Sequence, residues 1–123
     1  MQQRPETLFE RFSREPVNLG RMNDPSGSAW IKGLCGDTME MYLSINEGTI
    51  TDARFFTDGC APTHACGSLV TRLVKGRTIK EALALSPAAI VDRLENLPAA
   101  HLHCAILAVS TLHKAIADYL LQY

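Results

Sequence analysis

The chain has 123 residues, 46% of them apolar and 20% charged, with twelve basic against thirteen acidic side chains and a formal charge of −1. That length fits one domain burying about two thirds of its unfolded surface, and the near-neutral charge offers no positive field to hold a nucleic acid. The longest uninterrupted apolar run, residues 104–109, is six residues, far short of the roughly 20 a membrane helix needs, and the first residues carry no apolar signal region, so a soluble cytoplasmic protein with no membrane partner is expected.

In chain order, Leu8, Phe9 and Phe12 predict a short amphipathic helix over 3–14, with Pro5 near its first turn. Residues 15–27 are rich in Pro, Gly, Asn and Asp and read as a mobile loop, so 1–27 forms an N-terminal helix and loop within a single domain 1–123. A first strand is expected over 29–34. Met39, Met41, Leu43 and Ile45 then alternate with Glu40, Tyr42, Ser44 and Asn46, the pattern of a half-buried strand in which both methionines are core. Asn46-Glu47-Gly48 turns the chain into a third strand over 50–57.

After Gly59 the apolar period changes from two to 3.6. Cys66, Leu69, Val70, Leu73 and Val74 mark a helix that stops before Gly76. Thr78 and Glu81 have capping-box spacing for a helix over 79–85, and Ser86-Pro87 opens another that runs to Leu94. The last helix is expected over 100–121, with Leu102, Ala105, Ile106, Val109, Leu112, Ile116 and Leu120 inward. The fold class is α+β: a three-stranded antiparallel sheet with helices on one face and a long C-terminal helix.

Four cysteines, Cys35, Cys60, Cys66 and Cys104, are spaced too widely for a CxxC zinc or redox motif. Three of them fall at element ends: Cys35 in Leu34-Cys35-Gly36-Asp37, Cys60 where the last strand passes into a helix, and Cys104 beside His103 at the start of the final helix. Asp37 adds an oxygen ligand, and a helix N-terminus predicts a lowered pKa for Cys104. Thiolates are nucleophiles and soft ligands for zinc and iron. Cys66 belongs to an apolar stripe and reads as a buried structural thiol, with a backup ligand role as the alternative. His101 and His103 lie about 200° apart on a helix and cannot share one metal unless that helix starts later. His64 reads as a cap residue, His113 as a flank residue, Asp52 and Asp58 as turn or cap residues, and Arg72, Lys75 and Arg77 as a solvated face.

Cys35-Gly36-Asp37, Asp52-Ala53 with Thr57 to Cys60, and Leu102-His103-Cys104 together resemble the IscU/NifU-type iron–sulfur cluster assembly scaffolds. Asn18-Leu19-Gly20, Leu73-Val74-Lys75-Gly76 with Glu81-Ala82-Leu83, and Leu107-Ala108 with Ala115-Ile116 extend the likeness over about residues 15–120. The resemblance implies a binding module, not an enzyme, that builds a transient [2Fe–2S] cluster from iron and desulfurase-derived sulfur and passes it to apo-proteins. It implies Cys35, Cys60 and Cys104 as thiolate ligands, Asp37 as the labile fourth ligand, His103 as an alternative fourth ligand, and Cys104 as persulfide acceptor with Cys35 as its rival. The same donors suit zinc. A zinc-bound persulfide relay partnering a cysteine desulfurase is therefore the main alternative, and a structural zinc domain the second. Monomer or weak homodimer is expected. Where the family's chaperone motif reads LPPVK, this chain has Leu97-Pro98-Ala99-Ala100-His101, which argues against dependence on the dedicated chaperone pair.

Overall fold

A computed structural model describes residues 5–122. Three strands, β1 (Gly27–Lys32), β2 (Thr38–Asn46) and β3 (Thr49–Thr57), form an antiparallel meander in the order β1-β2-β3. Met39 faces Thr57, Met41 faces Phe55 and Leu43 faces Ala53, and all six are buried on one face. The wet face carries Glu40, whose carboxylate receives Arg21 Nε–H at 2.9 Å and is held below the usual carboxylate range by that bond. Glu47 and Gly48 both take positive φ, 51° and 76°, the turn geometry that matches strand twist in a tight hairpin. A register shift at Ser44/Ile45 puts Ile50 on the same buried face as Ala53.

The helices cover this face. They are α1 (Leu8–Arg14), α2 (Ala61–Val74), α3 (Ile79–Leu83), α4 (Pro87–Leu94) and α5 (Leu102–Leu120), with a 3₁₀ turn at Ala99–His101. The α+β architecture expected from the sequence is the one observed, and Met39 and Met41 are core residues. The capping boxes of Thr78 with Glu81 and of Thr7 with Glu10 are both closed, and the Ser86 hydroxyl accepts the Ala89 N–H.

Several boundaries differ from the sequence pattern, each for a local reason. The Thr7–Glu10 box starts α1 at Leu8, leaving Pro5 outside it; residues 3 and 4 of the expected span lie outside the described residues. β1 ends at Lys32 because Gly33 and Leu34 are taken into the following turn. α5 starts at Leu102 behind the 3₁₀ turn, two residues later than expected. Its inward face includes Cys104, Ala108, Thr111 and Ala115 beside the expected Ala105, Val109, Leu112 and Ile116, whereas Leu102, Ile106 and Leu120, also expected inward, are exposed. Small residues on that face let α5 lie close over β1: a Cβ on Gly27 would sit 2.3 Å from the Ala115 carbonyl oxygen.

The segment between α1 and β1 is tied to its surroundings. Val17 N–H donates to Ser68 Oγ at 3.0 Å, and Phe55 exchanges backbone bonds with Asn18 (3.0 Å) and Gly20 (2.8 Å), so the segment runs along the outer edge of β3. Arg72, Lys75 and Arg77 are exposed, as the sequence predicts, and each has a partner: Lys75 pairs with Asp52 at 3.0 Å, Arg77 with Glu81 at 3.6 Å, and Arg72 lies over the Phe12 ring at 5.8 Å.

α2 meets β3 through Gly67, where an added Cβ would lie 2.5 Å from two ring carbons of the buried Phe55. Gly67→Ala would gain about 1 kcal/mol of helix propensity, but the ring has no room to retreat and overpacking of this kind costs roughly 1–3 kcal/mol. Net destabilisation is expected, read as a lower urea midpoint at unchanged slope; an unchanged or higher midpoint would show that the helix and strand can part without cost.

Candidate functional site

Three chain segments meet at one end of the sheet: the β1–β2 turn, the β3–α2 junction and the start of α5. In the first, Gly33 N–H donates to the Asp37 carbonyl at 2.7 Å and Gly36 N–H to the Gly33 carbonyl at 3.1 Å, with Gly36 at φ +90°. This tight turn lifts Leu34, 97% exposed, and Cys35 into solvent while Asp37 stays half-buried. Asp58 fastens the second segment to the first. Its Oδ1 accepts the Thr38 N–H at 2.8 Å and the Thr38 hydroxyl at 3.0 Å, and these two bonds, the backbone one foremost, hold its carboxyl below the usual range. Asp58 thus performs the cap role read from the sequence. Asp52, paired with Lys75 and Arg54, is occupied by ion pairing.

Cys60 is the N-cap residue of α2, exposed, with no side-chain capping bond. The first N–H groups of α2 therefore have no side-chain acceptor at the cap, and a helix N-terminus of this kind favours negative charge nearby. His64, one turn on, donates a ring N–H to the Cys60 carbonyl at 3.0 Å, a local cap.

The residue that joins the three segments is Thr63, fully buried in the first turn of α2. Its hydroxyl donates to Asp37 Oδ2 at 3.0 Å, and the same oxygen lies 3.5 Å from Cys104 Sγ and 3.9 Å from Cys60 Sγ. A hydroxyl has one proton and two lone pairs. With the proton given to Asp37, both thiols can only donate to that oxygen or rest against it. Gly59 makes the approach of Asp37 feasible, since a Cβ there would sit 2.7 Å from both Asp37 Oδ2 and Thr63 Oγ1. Sequence reading singled out neither residue; the available signal was that Thr63 stands three residues after the N-cap, the helical spacing that faces back on it.

Cys104 lies on the other side of Thr63 and is only 1% exposed. Its predicted low pKa is not what the structure gives. Burial pushes the thiol up, Cys60, Cys35 and Asp37 add repulsion for a thiolate, and the Thr63 hydrogen bond only partly offsets this. Helix-terminus stabilisation loses because the sulfur is turned into the core. Cys66 is fully buried, and burial foremost drives its thiol far above the ordinary range, with the charges of Cys104 and Cys60 adding to it. Its burial agrees with the apolar stripe that it belongs to in the sequence.

Asp37, Cys60 and Cys104 thus converge on one hydroxyl, with Cys35 exposed close by. Their donor atoms are more widely spread than a single ion's shell. Among the described residues, only His101, His103 and Cys104 bring three donors within 4.8 Å of one another. His103 Nε2 is 3.6 Å from Cys104 Sγ, and the His101 and His103 rings are 6.0 Å apart. The two histidines, 200° apart on an unbroken helix, are neighbours because His101 ends the 3₁₀ turn at φ −115°, ψ 15° and α5 begins after it. His113, by contrast, donates to the Ala82 carbonyl at 3.2 Å and ties α5 to α3.

Residues 5–123 match the model of the NifU-like N terminal domain. The chain is 43% identical over 109 residues to the iron-sulfur cluster assembly scaffold protein IscU of Escherichia coli K12, covering 85% of this chain and 84% of that one. It is 37% identical over 113 residues to IscU 1 of Archaeoglobus fulgidus, covering 91% and 73%, and 38% identical over 120 residues to the Aquifex aeolicus IscU, covering 95% and 76%. Among solved structures, an N-terminal NifU-like protein from Brucella abortus superposes with a TM-score of 0.77 at 23% identity, covering 94% of each chain. A putative scaffold from Fervidobacterium islandicum shares the fold at a TM-score of 0.70 and 19% identity, covering 89% and 93%. The fold, the matched domain and these identities agree: the chain belongs to the NifU-like N-terminal domain family.

Proposed function

We propose that this chain is an iron–sulfur cluster assembly scaffold. The observation that carries the reading is the convergence of Asp37, Cys60 and Cys104 on the Thr63 hydroxyl beside the exposed Cys35. Three thiolates and one carboxylate fit iron and sulfide as cargo: soft sulfur ligands hold iron, and the harder oxygen of Asp37 makes the weaker bond that a donor needs to release. Spread over two metal atoms, the four donors suit a [2Fe–2S] unit, and zinc is the occupant expected when iron is scarce. The chain carries cargo and turns over no substrate of its own. Its partners are a cysteine desulfurase and apo iron–sulfur proteins, and the exposed Leu34, Leu102 and Ile106 offer them apolar footing at the rim of the site. Among the described residues no helix is long and apolar enough to cross a membrane, in keeping with action in the cytoplasm.

Sulfur reaches the cluster through Cys104 on this reading, once metal or partner binding has drawn the sulfur out of the core. Cys35, already exposed, is the thiol that reacts when neither is present.

Anaerobic reaction of the protein with a cysteine desulfurase, cysteine and ferrous iron should give a [2Fe–2S] absorption and Mössbauer spectrum that moves to apo-ferredoxin on mixing. Retained zinc with protein-bound persulfide and no cluster would instead establish the relay. Thr63→Val keeps the shape but removes the hydroxyl; with no proton to position Asp37 before loading and to donate to a thiolate after it, cluster yield should fall by about tenfold or more, as expected for loss of a buried hydrogen bond to a charged group. Thr63→Ser should restore it, and equal yields in Val and Ser would remove Thr63 from the account. In mass spectra, persulfide is expected on Cys104 in the zinc-loaded protein and on Cys35 in the metal-free protein; undiminished persulfide in zinc-loaded Cys104→Ser would reject Cys104 as acceptor.

A further inference from the structure

The donors His101, His103 and Cys104 form a second constellation that the cluster site does not use in full. We propose that they are a mononuclear site for a divalent transition-metal ion of the zinc or ferrous class, with His101 as its additional ligand. The inference shares Cys104 with the scaffold reading but stands on different observations.

The first is geometric. Zinc–nitrogen and zinc–sulfur bonds of about 2.05 and 2.3 Å, set tetrahedrally, put nitrogen and sulfur about 3.6 Å apart. Cys104 Sγ and His103 Nε2 are 3.6 Å apart. All three donors lie within 4.8 Å of one another, so small side-chain rotations of His101 close the set. The second is the state of His101. Its Nδ1 is buried and hydrogen-bonds no protein atom. A buried imidazole nitrogen without a partner is an unsatisfied group that a metal ion would satisfy.

The third is local backbone. The 3₁₀ turn at Ala99–His101 sets His101 out of phase with α5, which turns a His-x-His spacing useless on one helix into a usable pair. The fourth is chemical. Position 101 falls where the family's chaperone motif carries lysine, and a protonated ammonium has no lone pair to offer a metal, whereas a neutral imidazole does. Three protein ligands leave a fourth position open, the arrangement of exchangeable rather than structural sites.

A metal held here occupies the Cys104 thiolate, so it and the cluster exclude one another at that sulfur. The site is therefore a place where the incoming metal waits, or where zinc blocks assembly until displaced.

The test uses cobalt(II) as probe in the full chain with Cys35→Ser and Cys60→Ser, both exposed positions whose replacement leaves the core intact. This background should still bind one cobalt, with tetrahedral visible bands and a thiolate charge-transfer band. Adding His101→Ala or His101→Lys should weaken binding by at least about tenfold, the lower end of what losing even an outer partner of a metal ligand costs. X-ray absorption of the zinc-loaded background should show two imidazoles and one sulfur, falling to one imidazole in His101→Ala. Unaltered affinity and ligand count on replacing His101, or no thiolate band in the double variant, would overturn the proposal; circular dichroism of each variant separates these results from misfolding. Cobalt bound through His101 in a wild-type protein that builds no cluster would sink the scaffold reading and leave this site standing.

Discussion

The site depends on one buried hydroxyl. Thr63 stands where the first turn of α2, the β1–β2 turn and the start of α5 come together, and its single proton has three neighbours with a claim on it. In the metal-free protein the proton goes to Asp37, the strongest acceptor present, and holds the carboxylate against the helix. The fold is arranged to permit this contact. Gly59 has no side chain to obstruct it, Asp58 and Thr57 pin the two turns together through Thr38, and Asp37 itself closes the turn that exposes Cys35. When a thiol loses its proton to bind metal, it ceases to be a donor and becomes an acceptor. On the proposed reading the Thr63 proton then turns to sulfur, and Asp37 is freed to serve as a ligand. The hydroxyl proton has an acceptor in either state, Asp37 before and a thiolate after.

The thiols are unequal, and the inequality follows from the elements that carry them. Cys35 and Cys60 sit on a turn and at a helix cap, both exposed, whereas Cys104 is on the inward face of α5. Burial raises the free energy of its thiolate, and three nearby acidic groups raise it further. A positive ion reverses this balance at once, because the same low-dielectric surroundings that disfavour a lone thiolate strengthen its attraction to metal. Burial thus disfavours the Cys104 thiolate in the metal-free protein, in which Cys35 and Cys60 are the exposed thiols.

Much of the fold was legible because it rests on local rules. Strict alternation over 39–46 gave β2, Thr78 with Glu81 gave the start of α3, and Ser86-Pro87 gave α4. The site's cysteines and Asp37 were legible from their loop-end contexts and from the family likeness those contexts carry. Two kinds of information were not. Helix phase is one: α5 turns Cys104, Ala108 and Ala115 inward rather than Leu102 and Ile106, and the 3₁₀ turn before it sets His101 beside His103. Apolar periodicity cannot register that phase when the inward face is built of Ala105, Ala108 and Ala115, residues too small to stand out. The direction of Cys104 is the other. The helix-terminus argument for a low pKa treats the sulfur as if it faced the dipole in solvent, and here its desolvation is the larger effect.

The same phase change links the two donor sets. Had α5 begun at residue 100 as the pattern suggested, His101 and His103 would have pointed to different sides, and Cys104 would have served one set of partners only. In the observed helix, Cys104 Sγ lies 3.5 Å from the Thr63 hydroxyl and 3.6 Å from His103 Nε2. A sulfur shared between two sites cannot fill both, so occupancy of one is coupled to vacancy of the other without any movement of the fold. The coupling is set by the relative affinity of one thiolate for an imidazole-ligated ion and for iron in the cluster. In a protein whose cargo must arrive and leave, a competition decided at one buried sulfur gives direction to the exchange that a set of four equivalent ligands would lack.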